Sequence, residues 1–143
     1  MAEPIIVTAE AVTPFDIVGE QITVLASGAQ TGSYEILHQA GPEGSGPPPH
    51  SHTWDEAFYV LAGEIAFGVE DRDTVGTAGT LVHVPANTTH WFRFGKRGGA
   101  MLSVTAREAA SKFFAECHDS LDAQAPDLAM RVEIGARHEV KLG

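Results

Sequence analysis

The chain has 143 residues, 43% hydrophobic and 20% charged, with nine Lys and Arg against nineteen Asp and Glu for a formal net charge of −10. That length and balance suit one folded domain (residues 1–143) with its own core, and they exclude a disordered or coiled-coil chain. The acidic excess, unbroken by any basic cluster, argues against nucleic acid and anionic membranes as partners. No apolar run approaches the ~20 residues of a membrane-spanning helix. The one cysteine, Cys117, forbids an internal disulfide and suits a reducing compartment. Met1 to Pro4 carries an acid and no basic segment of the kind that opens a secretory signal, so a cytoplasmic location is expected.

Residues from about 5 to 105 read as strands and turns. Ile5 to Thr8, Gln21 to Ala26 and Tyr34 to His38 are short β-prone runs punctuated by Gly19, Ser27-Gly28 and Gly32. Gly41 to Pro49 holds three Gly and four Pro in nine residues. It is a loop, since Pro blocks both helix and ladder pairing. From Glu56 the side chains alternate with a period of two, as in a strand exposed on one face. Gly63-Glu64 should turn the chain into a second strand, Ile65 to Val69, and Glu70 to Asp73 should form the next hairpin turn. Thr80 to Val84, His90 to Phe94 and Met101 to Thr105 complete the set. This pattern predicts an all-β sandwich or barrel. Arg107 to Leu121 then places Ala110, Phe113, Phe114 and Cys117 at helical spacing, and Asp127 to Ala136 reads as a second helix. Together they make a C-terminal helical extension of about residues 107–137. Glu139 to Leu142 reads as a short strand.

Three of the seven histidines form a constellation with one glutamate. His50 and His52 are two apart, so on a strand both imidazoles point to one face. Glu56 shares their parity. His90 opens a separate strand after the Pro85-Ala86-Asn87-Thr88-Thr89 turn. Three neutral imidazoles and a carboxylate converging in an apolar cavity would suit a divalent first-row transition metal. A carboxylate buried among apolar side chains is costly unless compensated; a cation compensates it, and the imidazoles add nitrogen donors without adding charge. Iron, manganese, nickel, cobalt, copper and zinc all remain open. Of the aromatics, Tyr34, Phe58, Phe67, Phe92 and Phe94, with Trp54 and Trp91, are candidates to line a substrate pocket, although core packing is the plainer role for any one of them. His38 and His83 read as strand residues without a chemical role, Cys117 as a buried thiol, and His118 and His138 as solvated. The Asn87-Thr88-Thr89 sequon reads as a chance match. The Phe113-Phe114 helix either caps a barrel mouth or packs outside the barrel, the latter being the plainer reading.

Gly44 through His50, His52, Glu56 and Gly63 resembles the first cupin motif, G-x5-H-x-H-x3-E-x6-G, at every spacing. Gly79, Pro85 and His90 resemble the second, G-x5-P-x-G-x2-H-x3-N, with Asn87 replacing the turn glycine and Phe94 the last Asn. Asn tolerates left-handed backbone better than most residues. More loosely, the chain is similar to small single-domain quercetin dioxygenase-like cupins. The resemblance implies an antiparallel jelly-roll barrel with C-terminal helices packed outside it, and His50, His52, Glu56 and His90 as metal ligands. Four protein ligands would leave open positions for a substrate. The activity implied is that of a metal-dependent dioxygenase acting on a small aromatic or enolisable, flavonol-like compound, with Glu56 as catalytic base. The other readings are a metal-assisted polyketide-type cyclase or isomerase that does not use oxygen, and a non-catalytic small-molecule-binding module. A homodimer is expected, both from the resemblance and from exposed strand edges.

Overall fold

The computed structural model describes residues 3–8, 10–106, 109–120 and 128–143. Among them run β1 (Phe15–Ile17), β2 (Glu20–Ala26), α1 (Gly28–Thr31), β3 (Glu35–Gly41), β4 (His50–His52), β5 (Glu56–Val69), β6 (Arg72–Gly76), β7 (Leu81–Val84), β8 (His90–Thr105), α2 (Ala109–Ser120), α3 (Leu128–Arg137) and β9 (Val140–Leu142). The strands form one curled antiparallel sheet in the order β1-β2-β3-β8-β4-β9, with β5 also paired to β8 and carrying β6 and β7. This is the all-β fold that the strand pattern predicts, in the jelly-roll form with C-terminal helices that the resemblance implies.

β8 organises the sheet. Its residues 99–105 lie between β3 and β5, and its residues 90–94 pair with residues 65–69 of β5. Inward parity along these two strands places Phe58, Val60, Ile65, Phe67, Phe92, Phe94 and Met101 in a single core with Val84. The Phe58 ring stands 5.5 Å from Phe92 and 5.6 Å from Phe67. Truncating such a side chain to Ala typically costs about 3–5 kcal/mol.

Several expected boundaries are corrected. Gly63 does not end a strand. It adopts φ 73° at a bulge, and a Cβ there would collide with the Gly98 carbonyl oxygen. β5 therefore bends and continues, because β8 is its partner on both sides of the bulge. His90 to Phe94 and Met101 to Thr105 are likewise one strand. Ile5 to Thr8 is not a strand, and Ile6 is 94% exposed. The place beside β2 is taken by Phe15–Ile17 through a two-residue turn, Val18-Gly19, with φ of 50° and 86°, the geometry that suits the twist of a hairpin. α1 lies where a turn was expected. Its Ser27 and Gln30 cap each other reciprocally.

α2 and α3 confirm the helical spacing; the expected end residues Arg107, Leu121 and Asp127 lie outside the described residues. The chain then returns to the sheet. β9 pairs with β4, with His50 opposite Leu142 and His52 opposite Val140. α2 is fastened to the sheet through Glu35, fully buried at the start of β3, whose carboxyl oxygens accept the N–H groups of Gly28 and Ser111, each at 2.9 Å. No helix among the described residues is long and apolar enough to cross a membrane.

Candidate metal centre

The strand ends bring the four polar residues together. His50 and His52 share one face of β4, and His90, first in β8, pairs directly with His50. Glu56 does not share a strand with His52. Residues 53–55 loop back, and Glu56 opens β5 against Val84 and Thr105. One nitrogen from each of His50, His52 and His90 falls within 4.8 Å of the others. Glu56 Oε1 lies 3.0 Å from His52 Nε2 and 3.6 Å from His90 Nε2.

Backbone carbonyls set the orientation of all three rings. The Nδ1 of His50 lies 2.9 Å from the Pro48 carbonyl, that of His52 2.9 Å from Trp54, and that of His90 2.8 Å from Thr88. These partners assign the proton to Nδ1 and leave the Nε2 lone pairs facing the cluster, as metal-binding histidines require. Two observations fit a cation there. His90 Nε2 is buried with no hydrogen-bond partner. With its proton on Nδ1, His52 Nε2 would set a lone pair against a carboxylate oxygen, which needs a positive charge between them. Burial, then the neighbouring His90, push His50 down to about 4, so it is neutral near pH 7. Burial alone would raise the Glu56 carboxyl. The facing His52 and His90 rings and the Ser103 hydroxyl more than offset this and hold it well below the usual carboxylate range. Three neutral nitrogens and one anionic oxygen suit a divalent transition metal. When bound, it would acidify a ligand hydroxyl and offer open positions to small molecules.

Ser103, absent from the sequence-based site, donates its hydroxyl to Glu56 Oε2 at 2.6 Å. Its one signal is parity, as a polar residue between inward-facing Met101 and Thr105. Asn87 takes φ 64°, the left-handed conformation expected of it, and its N–H donates to the His52 carbonyl at 2.7 Å. The turn before His90 is thus tied to the strand that bears His52.

Comparison with known proteins agrees with this fold. Residues 37–104 match the cupin domain. The fold is similar to an RmlC-like cupin from Shewanella frigidimarina, with TM-score 0.66 and 21% identity over 73% of this chain and 91% of that one. It is also similar to a predicted oxalate decarboxylase from Thermotoga maritima, with TM-score 0.64 and 21% identity over 72% of this chain and 99% of that one. The chain carries a cupin domain at residues 37–104. Among curated relatives, quercetin 2,3-dioxygenase from Bacillus subtilis (strain 168) is 28% identical over 101 residues, 68% of this cupin but 30% of that relative. The cupin therefore spans less than a third of that protein's length.

In this cupin a cavity of about 370 Å³ opens onto His50, His52 and Glu56. Of the five aromatics expected at a pocket, Phe92 lines it; Phe58, Phe67 and Phe94 do not, because they interlock in the core. Phe58 stands behind the cluster, its ring 6.2 Å from that of His90. Tyr34 is 47% exposed, since it precedes β3 and stays outside the inward-facing set. Trp54 does line the cavity, stacked on His52 with ring centres 4.2 Å apart and planes within 2°. Trp91 is absent from the wall. The helix reading is also revised. Ala110, Phe113, Phe114 and Cys117 of α2 form part of the wall, so α2 covers this mouth rather than packing only outside. Cys117 is buried and free, and burial, then Glu116, push its thiol up to about 11. His138 is half-buried against Glu116, which also pairs with Arg137. His118 is exposed but accepts the Asp16 N–H. His38 and His83 sit on the outward parity of their strands.

Sequence reasoning passed over Glu20 and Gln39. Both are buried, on β2 and β3, and both line the cavity. Burial, then the charge of Glu56, push the Glu20 carboxyl up to about 8.

Proposed function

We propose that this cupin is a metal-dependent, dioxygenase-like enzyme acting on a small enolisable aromatic compound of flavonol type. The observation that carries the reading is the His50–His52–His90–Glu56 cluster at the wall of a largely apolar, helix-covered cavity large enough for a small organic molecule. The likeness to quercetin dioxygenase supports it. In this reading Glu56 takes the proton of the substrate's enolic hydroxyl on Oε1, while Ser103 holds Oε2 and fixes the carboxyl plane. With the His52 and His90 protons on Nδ1, no ring N–H is set against Oε1, which is left free to take that proton. Phe92 and the α2 aromatics exclude water from the acceptor.

The test is oxygen uptake with flavonol in protein loaded separately with iron, manganese, nickel, cobalt, copper or zinc. Uptake matched to flavonol loss, reduced by about 10²–10⁴-fold in Glu56→Gln, is the expected result. Flavonol transformed without oxygen uptake would favour the cyclase or isomerase reading, and a ligand bound and released unchanged would favour a binding module. A cytoplasmic setting belongs to the same proposal, since Cys117 is a free thiol. So does a homodimer, for which Tyr59, Leu61, Leu81 and Val104 give an exposed apolar strip on β5, β7 and β8. Sedimentation equilibrium at the mass of one subunit would remove the dimer.

A further inference from the structure

Among the described residues, four buried side-chain atoms lack a hydrogen-bond partner: His90 Nε2, Glu20 Oε1, Gln39 Oε1 and Trp54 Nε1. The first belongs to the metal centre. The other three lie on separate segments (β2, β3 and the loop after β4), yet all three residues line the one cavity. They are 7%, 1% and 3% exposed. A buried polar group left unpaired is costly, and an apolar side chain of similar size would avoid the cost. Three such groups at one cavity are therefore hard to explain as packing, and they are what a site built to hold a polar ligand looks like when only the protein's own groups are counted.

The chemistry of the three atoms narrows the ligand. Gln39 Oε1 accepts hydrogen bonds, the Glu20 carboxyl accepts and, while it holds its proton, also donates, and Trp54 Nε1–H only donates. A carboxylate or phosphate would set a further acceptor oxygen against Gln39 Oε1. An ammonium would leave the indole N–H unanswered. A hydroxyl donates and accepts, so it can answer both kinds of partner. Phe92, Phe113 and Phe114 on the same wall suit an aromatic ring carrying that hydroxyl.

We propose that Glu20, Gln39 and Trp54 form a hydroxyl-recognition subsite beside the metal centre, selecting aromatic ligands that carry a phenolic hydroxyl in addition to the one that reaches the metal. This rests on the flavonol-type reading of the metal centre and names the residues that would set its specificity.

The test uses zinc-loaded protein and two probes under nitrogen, where no oxygen is present to consume them: flavonol, with its single enolic hydroxyl, and quercetin, with further phenolic ones. Titration calorimetry should show quercetin bound at least about tenfold tighter than flavonol, one hydrogen bond's worth. Gln39→Leu and Trp54→Phe should each bring the two affinities within about twofold by weakening quercetin alone. A preference that survives intact in both variants overturns the subsite. A second readout needs no ligand. If Gln39 serves binding and not the fold, Gln39→Leu removes an unpaired buried group and should raise Tm by roughly 3 °C; a fall in Tm overturns the proposal. The two readings also fail separately. Probe binding that persists in His52→Ala counts against the metal-site reading and leaves the subsite standing. If neither probe binds, the flavonol reading fails, and the direction of the Gln39→Leu Tm shift decides the subsite.

Discussion

Glu20 and Glu56 line one cavity, both almost fully buried, and their environments push them in opposite directions. Glu56 accepts from Ser103, faces two imidazoles and stays ionised, whereas Glu20 has an unpartnered oxygen and meets burial first and the Glu56 charge second. Glu20 therefore binds its proton up to about 8 in the folded chain, against an ordinary value of 4.5. Between those limits the folded state holds a proton that the unfolded chain has released. The contribution of Glu20 to stability is fully present below about 4.5 and is lost as pH rises through about 8. Glu20→Gln has no such proton to lose, so wild-type Tm should fall relative to Glu20→Gln from about pH 5 to about pH 9. Parallel melting curves for the two proteins across that range would contradict this. Because burial is the first cause, the trend should survive metal loading at Glu56.

At the scale of elements, the local patterns of strand and helix were legible because they are written in short-range periodicity. β5, β7, β8 and the spacing of α2 all show it. What was not legible is pairing. Nothing in Gly63-Glu64 says whether the chain turns back or bulges, because the answer depends on β8 lying alongside both halves of β5. Nor does the spacing of Phe113 and Phe114 reveal that α2 covers the cavity. That placement depends on Glu35, 76 residues before Ser111 in the chain. The capping pair Ser27 and Gln30, by contrast, was readable and would have revealed α1. Glu35→Ala removes both N–H bonds from a fully buried carboxyl and should cost about 3 kcal/mol. It should also loosen α2. Cys117 should then react faster with a thiol reagent than in wild type, with Glu35→Gln intermediate. If Tm falls while the rate of Cys117 labelling is unchanged, α2 is not held by this contact.

For the molecule as a whole, the residues of the candidate centre could be read from sequence because their spacing is local within each motif: His50 and His52 by parity, and His90 by the turn before it. The cavity could not, because Glu20, Gln39 and Trp54 are gathered from three segments by the curl of the sheet. The same curl makes metal binding a property of the entire fold. β4 is three residues long and is held between β8 and β9. Its two histidines meet His90 and Glu56 only if β5, β8 and the C-terminal strand are all in register. The unfolded chain cannot assemble that geometry, so a cation that binds here should stabilise the folded state by mass action, about 4 kcal/mol at a free concentration roughly 1,000 times Kd. Adding nickel or zinc to chelator-treated protein should therefore raise Tm by about 10 °C. His52→Ala should abolish the shift, and elemental analysis should find its bound metal lost. The gain should extend beyond the cluster. Amide exchange should slow along β9, which touches no ligand except through β4. Equal metal content in wild type, His52→Ala and Glu56→Ala would show that the four side chains do not hold a metal. A Tm rise with unchanged exchange at β9 would show that the metal steadies its own shell and not the return of the chain.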